Sequence, residues 1–453
     1  MFSSELDRAQ YPLFSRVRGI LLGTLLMVAV TASLVSARSL AVTYWIVAAG
    51  FLTAVAFDRN VDLKRSGPGP VAICLGVFLL YALLSAAWAV QPDIALTKAL
   101  TAVALAATVL LIVPAIVNET RPNLLHMCEG VCIGLFLGLI YLLIELLTEQ
   151  SIKLSLFRAM GLGPADLNPP SFFKWDGTHL LSISDNVVTR NIAPAAIFLW
   201  PAVMMINGAW GTPGRRTRPI LLVLLTVTVV MMSSHESSKL ALVVSLGAFG
   251  LAHVSRRWVA RLVMLAWVFA CLAVVPAVLL AHRLDLHNAS YLQQSARQRL
   301  VIWNFTAEKM LDSPWMGTGA NMTYVLGPAI ERETSPVPGE TLPKTLSIHS
   351  HSIYLQTWFE LGVLGAALLT LVGLAILSAI RALAPQLHSY AYATFASAAA
   401  MAATSYGMWQ VWFMAAFGLC TLLFWIGAGL LQRSATDVER GDLVASVQRD
   451  SEC

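Results

Sequence analysis

Long apolar runs, separated by short polar stretches, recur from one end of the chain to the other. A run of about 20 apolar residues is long enough to cross a bilayer as a helix. The pattern therefore predicts an all-α polytopic membrane protein with about twelve transmembrane helices. The predicted spans are 17–36, 39–57, 70–90, 98–117, 127–147, 190–207, 219–233, 239–254, 262–281, 353–380, 390–407 and 411–431.

Two polar stretches, 148–189 and 282–352, are much longer than the others. The second lies before the tenth predicted span and carries apolar residues at helical spacing. They predict an amphipathic helix over about 290–311 that rests on the bilayer or on the spans beneath it. Residues 331–343 are acidic and proline-rich, which predicts a mobile flap. The helically spaced residues are Leu292, Ala296, Leu300, Trp303 and Ala307.

Composition supports a membrane location, and charge sets the orientation. Of the 453 residues, 57% are hydrophobic and only 12% are charged, about half the charged share of a soluble chain. Lysine and arginine concentrate in the loops after the even-numbered spans, which places these loops and both termini in the cytoplasm and the two long stretches outside. The cytoplasmic cations include Arg59, Lys64, Arg65, Arg121, Arg215, Arg216, Arg218, Arg256, Arg257, Arg261 and Arg381.

This orientation divides the chain into four parts. Residues 1–281 hold the first nine spans and the outer stretch 148–189, and residues 282–352 form the large outer loop. Residues 353–431 hold the last three spans, and 432–453 form a cytoplasmic tail. The net charge of +5 follows from the loop cations. It does not indicate nucleic-acid binding, because no basic stripe with interleaved aromatic residues occurs.

Basic side chains from distant parts of the chain fall on the outer side. Two of them begin spans there against the charge trend, and an anionic ligand would explain that placement. Guanidinium groups suit phosphate oxygens, since they are planar and always charged. Imidazole can exchange a proton near neutral pH. The six outer residues are Arg190 and Lys239, which start the sixth and eighth spans, and Arg297, Arg299, His349 and His351 in the large loop.

The helical spacing separates the two arginines of the large loop. Arg299 lies four residues before Trp303, so the two share a helix face, whereas Arg297 points about 160° away. We therefore favour Arg299 as the site residue and expect Arg297 to face solvent or headgroups. Ordinary roles stay open: a hydrogen-bonded interface histidine for His351, a surface cation for Arg299 and a snorkelling arginine for Arg190. A hydrated turn is the ordinary role for Lys239.

The remaining motifs exclude several kinds of site. No DxD, HxxxH or clustered outer carboxylates occur, so no metal site is expected. Nucleotide-binding and serine-hydrolase fingerprints are also missing. Gly362 and Gly365, three residues apart, predict close approach of a neighbouring helix that fixes the rotation of the helix carrying His351. Glu360 lies nine residues after His351 and could support it.

Two segments resemble a known family. His351-Ser352, followed after nine residues by Gly362-x-x-Gly365, resembles the signature of bacterial O-antigen ligases. The stretches from Arg299 to Trp303 and from Ser313-Pro314 to Gly319 resemble the segment before that histidine in the wider O-antigen ligase and polymerase group. Ala366 stands where the family often has Gly, Thr or Tyr, which leaves the subgroup open.

The resemblance implies a GT-C-like glycosyltransferase of the bacterial inner membrane with a periplasmic active site and no metal cofactor. Its donor would be O-antigen on undecaprenyl pyrophosphate, and its acceptor lipid A–core. His351 would act as general base, and Arg190 and Arg299 would stabilise the leaving pyrophosphate with inversion at the anomeric carbon. The substrate-binding residues would be Lys239, Arg297, His349 and Trp303.

Other functions fit parts of the same pattern. An O-antigen polymerase or a protein O-oligosaccharyltransferase would use the same donor with a different acceptor. A lipid-linked oligosaccharide transporter would place its ionisable residues near the middle of the membrane. Here they gather at one edge, which favours an enzyme.

Overall fold

The computed structural model describes residues 3–57, 69–167, 172–210, 217–327, 331–334 and 341–451. Side chains are described for 16–56, 69–167, 172–210, 217–327 and 344–434. The loop cations Arg59, Lys64, Arg65, Arg215 and Arg216 lie outside the described residues.

The described residues form sixteen α-helices and two short hairpins. The elements before the large loop are α1 Ser3–Val35, α2 Leu40–Phe57, α3 Pro70–Leu84, α4 Pro92–Asn118, α5 Arg121–Leu147, α6 Ser151–Ala159, β1 Phe173–Asp176, β2 His179–Ile183, α7 Asn186–Trp210, α8 Thr217–Met232, α9 Glu236–Val254, α10 Arg256–Leu272 and α11 Val274–Arg283. The rest are α12 Gln294–Met310, α13 Met322–Leu326, β3 Glu331–Thr334, β4 Thr341–Lys344, α14 Ile353–Ala382, α15 His388–Thr404 and α16 Val411–Ser451.

Each of the twelve predicted spans lies on helix, which confirms an all-α polytopic membrane protein. Within the described residues, nine helices are long and apolar enough to cross a membrane. A tenth span arises if α10 and α11, bent by 72° at their junction, are counted as one. Pro276 supplies no backbone N–H to that junction, which favours the bend. Since α8 and α15 are shorter than the nine, the total of twelve stays a prediction.

Two compact units make up the chain, and each is described by itself. The first comprises 1–63, 108–243 and 415–453. The most extensive contact between helices in this unit joins α1 and α5. A Cβ atom on Gly130 of α5 would lie 2.0 Å from the carbonyl oxygen of Gly23 on α1. Glycine at both positions therefore lets the two backbones touch, as small residues do between membrane helices.

The long polar stretch 148–189 of the first unit has regular structure in its described part. It contains α6 and the antiparallel hairpin of β1 and β2. The turn of the hairpin includes Gly177 at φ +57, a conformation that glycine adopts without strain. Phe173, Leu180 and Ile183 form a small apolar core with Phe157 of α6 packed against it. Each strand is only four or five residues long, which left too little periodicity to predict it.

The second unit comprises residues 64–107 and 244–414 and holds the large loop. The predicted amphipathic helix is present as α12. It packs against α11, α14 and β4, so it rests on protein on several sides. Its buried residues only partly match the predicted stripe, because Ala307 is buried whereas Leu292, Ala296 and Leu300 are not.

The predicted flap is also different in part. Glu331–Thr334 and Thr341–Lys344 pair as the antiparallel strands β3 and β4. Because β4 lies against α12, backbone pairing and packing order both arms of this segment. The intervening residues 335–340 lie outside the described part of the chain.

A break inside α14 determines how the large loop is attached. Gly362 has φ +65 and ψ −165, far from helical values. The loop from Pro314 to Gly319 fills the break and bonds to the interrupted backbone. Four bonds do this: Val363 N–H to Pro314 O at 2.9 Å, Leu364 N–H to Trp315 O at 3.4 Å, Thr318 N–H to Phe359 O at 3.1 Å and Gly319 N–H to Glu360 O at 2.8 Å.

The expectation that Gly362 and Gly365 admit a neighbouring helix is therefore wrong. A Cβ atom on Gly362 would lie 2.3 Å from the carbonyl oxygen of Trp315, so its neighbour is the backbone of a loop. A Cβ atom on Gly365 would meet Leu361 of its own helix. Gly317, at φ +68, has the same role on the loop side, since a Cβ atom there would meet the backbone of Glu360.

We expect Gly362→Ala to destabilise the protein. The left-handed backbone costs an L-residue roughly 1–3 kcal/mol, and the methyl group would collide with the loop backbone as well. Thermal unfolding in detergent measures the loss. The matched control is Gly76→Ala in α3, where a Cβ atom meets nothing within 4 Å. Equal unfolding temperatures for the two variants would contradict this account of the break.

Candidate active site

His351 lies at the turn that leads into α14, in an unusual backbone conformation. Its φ is +56, which is uncommon for a residue with a side chain. The next residue, Ser352, caps α14 by accepting the N–H of Leu355 at 3.4 Å. The Nδ1 atom of His351 lies 2.9 Å from the carbonyl oxygen of Ser405. A carbonyl oxygen can only accept, so Nδ1 carries the proton and Nε2 keeps its lone pair.

His349 supports the same turn. It is buried, and its Nδ1 atom accepts the backbone N–H of His351 at 3.3 Å. The two imidazole rings meet edge to face with centroids 4.2 Å apart. Since Nδ1 of His349 is an acceptor, the neutral ring carries its proton on Nε2. His349 is thus placed beside His351, and its predicted contact with substrate stays a prediction.

The helix α12 contributes Trp303 and Arg299 to this turn. The indole N–H of Trp303 donates to the carbonyl oxygen of Ser350 at 2.7 Å. Arg299 lies one helical turn earlier and is close enough to act electrostatically on His351. The face of α12 that carries Arg299 and Trp303 therefore lies beside His351, as the sequence pattern had suggested.

Arg297 departs from the prediction. It was expected to face solvent or headgroups, yet it is only 7% exposed. The reason is the packing of α12, which α11, α14 and β4 all contact, so no broad face of this helix is left to water. A buried guanidinium cannot act as the headgroup contact that the sequence suggested, and its role in substrate binding stays a prediction.

His351 is held as a neutral imidazole. Burial and, to a lesser extent, the positive charge of Arg299 lower its pKa to about 4, against the opposing effect of the hydrogen bond to Ser405. Both causes disfavour the imidazolium form. At neutral pH the ring is therefore a base with a free Nε2 lone pair.

Glu360 is the main site feature that the sequence analysis left undecided. It is fully buried, nine residues beyond His351. Gln356, one helical turn before it, donates to it at 2.9 Å. The sequence did offer a signal for this site: an amide and a carboxylate four residues apart inside an apolar span, where polar groups are costly. The hydrogen-bond partners of Glu360 outside its own helix lie within residues 321–323 and 405–409, and no sequence pattern predicted them.

Arg190 and Lys239 belong to the first unit. Helix α7 begins at Asn186, four residues before Arg190, so Arg190 lies in the second turn of this helix. Its neighbour Asn191 donates to Val35 O at 2.6 Å and accepts from Ala37 N–H at 2.9 Å. Lys239 likewise lies inside a helix, α9, and pairs with Glu236 at 2.9 Å, which compensates its charge locally.

Acidic and metal-binding side chains do not cluster in the described part of the chain. No group of three or more His, Cys, Asp or Glu side chains is placed there to hold a metal ion. One smaller pairing occurs near the end of α11, where Nε2 of His287 lies 3.5 Å from Oδ1 of Asp285.

Part of the chain that carries these residues resembles a family of known proteins. Residues 221–370, which include Arg297, Arg299, His349, His351 and Glu360, match the profile of the O-antigen ligases. Over this third of the chain the protein is similar to the O-antigen ligases.

The similar curated proteins are provisionally named polysaccharide ligases. Those of Rickettsia typhi and Rickettsia conorii are each 26% identical over 234 residues, covering 50% of this chain and 55% and 54% of theirs. A protein of Rickettsia bellii is 31% identical over 122 residues, covering 27% of this chain and 29% of its own. The chain thus spans about half the length of the first two relatives.

The pKa of His351 can be measured directly. In protein labelled with ¹⁵N-histidine, we expect half-protonation near pH 4 for the signal that disappears in His351→Gln. Arg299→Gln should raise this pKa, because it removes the cation that opposes imidazolium formation. Arg283→Gln, an exposed arginine at the end of α11, is the control and should change nothing. A pKa near 6.5 for His351 in the unaltered protein would contradict its burial away from water.

Proposed function

We propose that this protein is a glycosyltransferase of the bacterial inner membrane, with a GT-C-like fold and its active site facing the periplasm. It transfers O-antigen polysaccharide from undecaprenyl pyrophosphate to a sugar hydroxyl of lipid A–core. The observation that carries the proposal is the neutral His351, with its Nε2 lone pair available and Arg299 beside it, within the residues that match the O-antigen ligases.

The first step that this geometry supports is activation of the acceptor. The Nε2 atom of His351 takes the proton of the acceptor hydroxyl as its oxygen attacks the anomeric carbon. The bond between that carbon and the pyrophosphate oxygen breaks, and direct in-line attack inverts the anomeric centre. A lowered pKa keeps His351 in its basic form, although it also weakens the base.

The second step is stabilisation of the leaving group. Charge grows on the pyrophosphate as the glycosidic bond breaks, and a nearby guanidinium stabilises it. The electrostatic effect of Arg299 on His351 supports this role for Arg299. Arg190 and Lys239 are proposed as further contacts of the diphosphate on the strength of the sequence pattern. Trp303, Arg297 and His349 are proposed substrate contacts.

The ligase can be separated from its rivals by lipopolysaccharide gels of a deletion strain. We expect bare core, with polymer retained on the carrier lipid, and full restoration by the unaltered gene. His351→Gln should restore nothing visible, because loss of a general base costs about 10²–10⁴-fold in rate. The control His253→Gln alters an exposed histidine outside the site and should restore the ladder.

Each other gel pattern names a different function. Core carrying one repeat would identify a polymerase. Normal lipopolysaccharide with an unglycosylated surface protein would identify a protein transferase. Purified protein that moves lipid-linked substrate across liposomes without transferring sugar would identify a transporter.

A second prediction concerns metals. If cationic side chains stabilise the leaving pyrophosphate, purified protein should turn over undiminished in EDTA. The assay is transfer from a lipid-linked donor to lipid A–core in detergent. Loss of transfer that Mg²⁺ or Mn²⁺ restores would overturn the metal-free mechanism.

A further inference from the structure

In each of its described hydrogen bonds, the Glu360 carboxylate is the acceptor. Its Oε2 atom accepts the backbone N–H of Asn321 at 2.9 Å and the indole N–H of Trp409. Its Oε1 atom accepts the backbone N–H of Thr323 at 3.1 Å and the amide N–H of Gln356 at 2.9 Å. Each carboxylate oxygen thus has two donors, which compensates the cost of burying the charge.

This arrangement fixes the orientation of Gln356. Because its NH₂ group must point to Glu360, its Oε1 atom points the other way. There it accepts the backbone N–H of Met408 at 3.0 Å. Glu360 therefore holds residues 408 and 409 twice, directly through the indole of Trp409 and indirectly through Gln356.

The segment held in this way is the one that touches His351. Residues 405–410 connect α15 to α16 without being helical. Their place is therefore set largely by contacts outside the helical ladder. Ser405, at the start of the segment, accepts the Nδ1 proton of His351 at 2.9 Å. Gly407, in its middle, packs so closely on His349 that a Cβ atom would lie 2.7 Å from that side chain.

We propose that Glu360 is a positioning residue that orients His351. By fixing Gln356 and Trp409 it holds residues 405–409, and the Ser405 carbonyl then selects the tautomer in which Nε2 is free. The inference rests on the proposed function only for the role of Nε2 as a base. The positional link from Glu360 to His351 stands on the contacts alone.

An amide cannot replace this carboxylate. In Glu360→Gln, either orientation of the new side chain sets its NH₂ group against two N–H donors. The variant keeps the shape of the side chain and removes the property on which the argument depends. The matched control is Glu145→Gln, which alters another fully buried carboxylate, in the first unit.

The test measures the tautomer of His351 and the kinetics of transfer in the full-length protein. In ¹⁵N-histidine spectra, the unaltered protein and Glu145→Gln should show a single tautomer protonated at Nδ1. Glu360→Gln should show a mixture. Its kcat should fall at least tenfold while the KM for the lipid-linked donor stays within twofold, a split that general loss of structure would not give. Glu360→Asp, which keeps the charge, should recover part of kcat.

The result that would overturn the proposal is a single Nδ1-protonated tautomer and an unchanged kcat in Glu360→Gln. If that variant does not fold, Gln356→Met takes its place, since it removes the acceptor of the Met408 N–H. The same two outcomes then decide. If the unaltered protein transfers no sugar, the proposed function fails, whereas the tautomer measurement still tests the link from Glu360 to His351.

Discussion

The second unit depends on how the broken backbone of α14 is satisfied. A helix interrupted in an apolar setting leaves carbonyl and N–H groups that must find partners, because water is scarce there. The loop from Pro314 to Gly319 supplies them, and Gly362 and Gly317 allow the two backbones to touch. This contact ties the end of α12 to α14. It thereby helps to hold Arg299 and Trp303 at the turn that carries His351.

The same packing explains the chemistry available at the turn. Burial and a neighbouring guanidinium both discourage a second proton on His351, so the ring is a base at neutral pH. The carbonyl of Ser405 decides which nitrogen is free. A cation suited to a leaving phosphate and a neutral base can therefore be neighbours without competing, because the cation itself helps to keep the base unprotonated.

The sequence predicted what depends on local pattern. Hydrophobic runs located a helix at every predicted span, and four-residue spacing placed Arg299 and Trp303 on one face of α12, where Trp303 bonds to the turn that carries His351. Prediction from the sequence failed where the surroundings of a residue depend on distant segments of the chain. Arg297 lies on a helix that other elements cover, and Gly362 accommodates a loop and not a helix. Two glycines three residues apart give the same pattern whether a helix or a loop packs against them, so spacing alone could not distinguish these two neighbours.

The residues that we propose to orient His351 do not all lie within the part of the chain that matches the O-antigen ligases. The match ends at residue 370, whereas Ser405, Met408 and Trp409 lie beyond it. Helices α15 and α16 place these residues, and α14 then receives them through Gln356 and Glu360. His351 and Arg299 thus lie within the matched segment, but the tautomer of His351 depends on its bond to Ser405, outside that segment. We therefore expect a change in residues 405–409 to alter the tautomer of His351 while every matched residue stays in place.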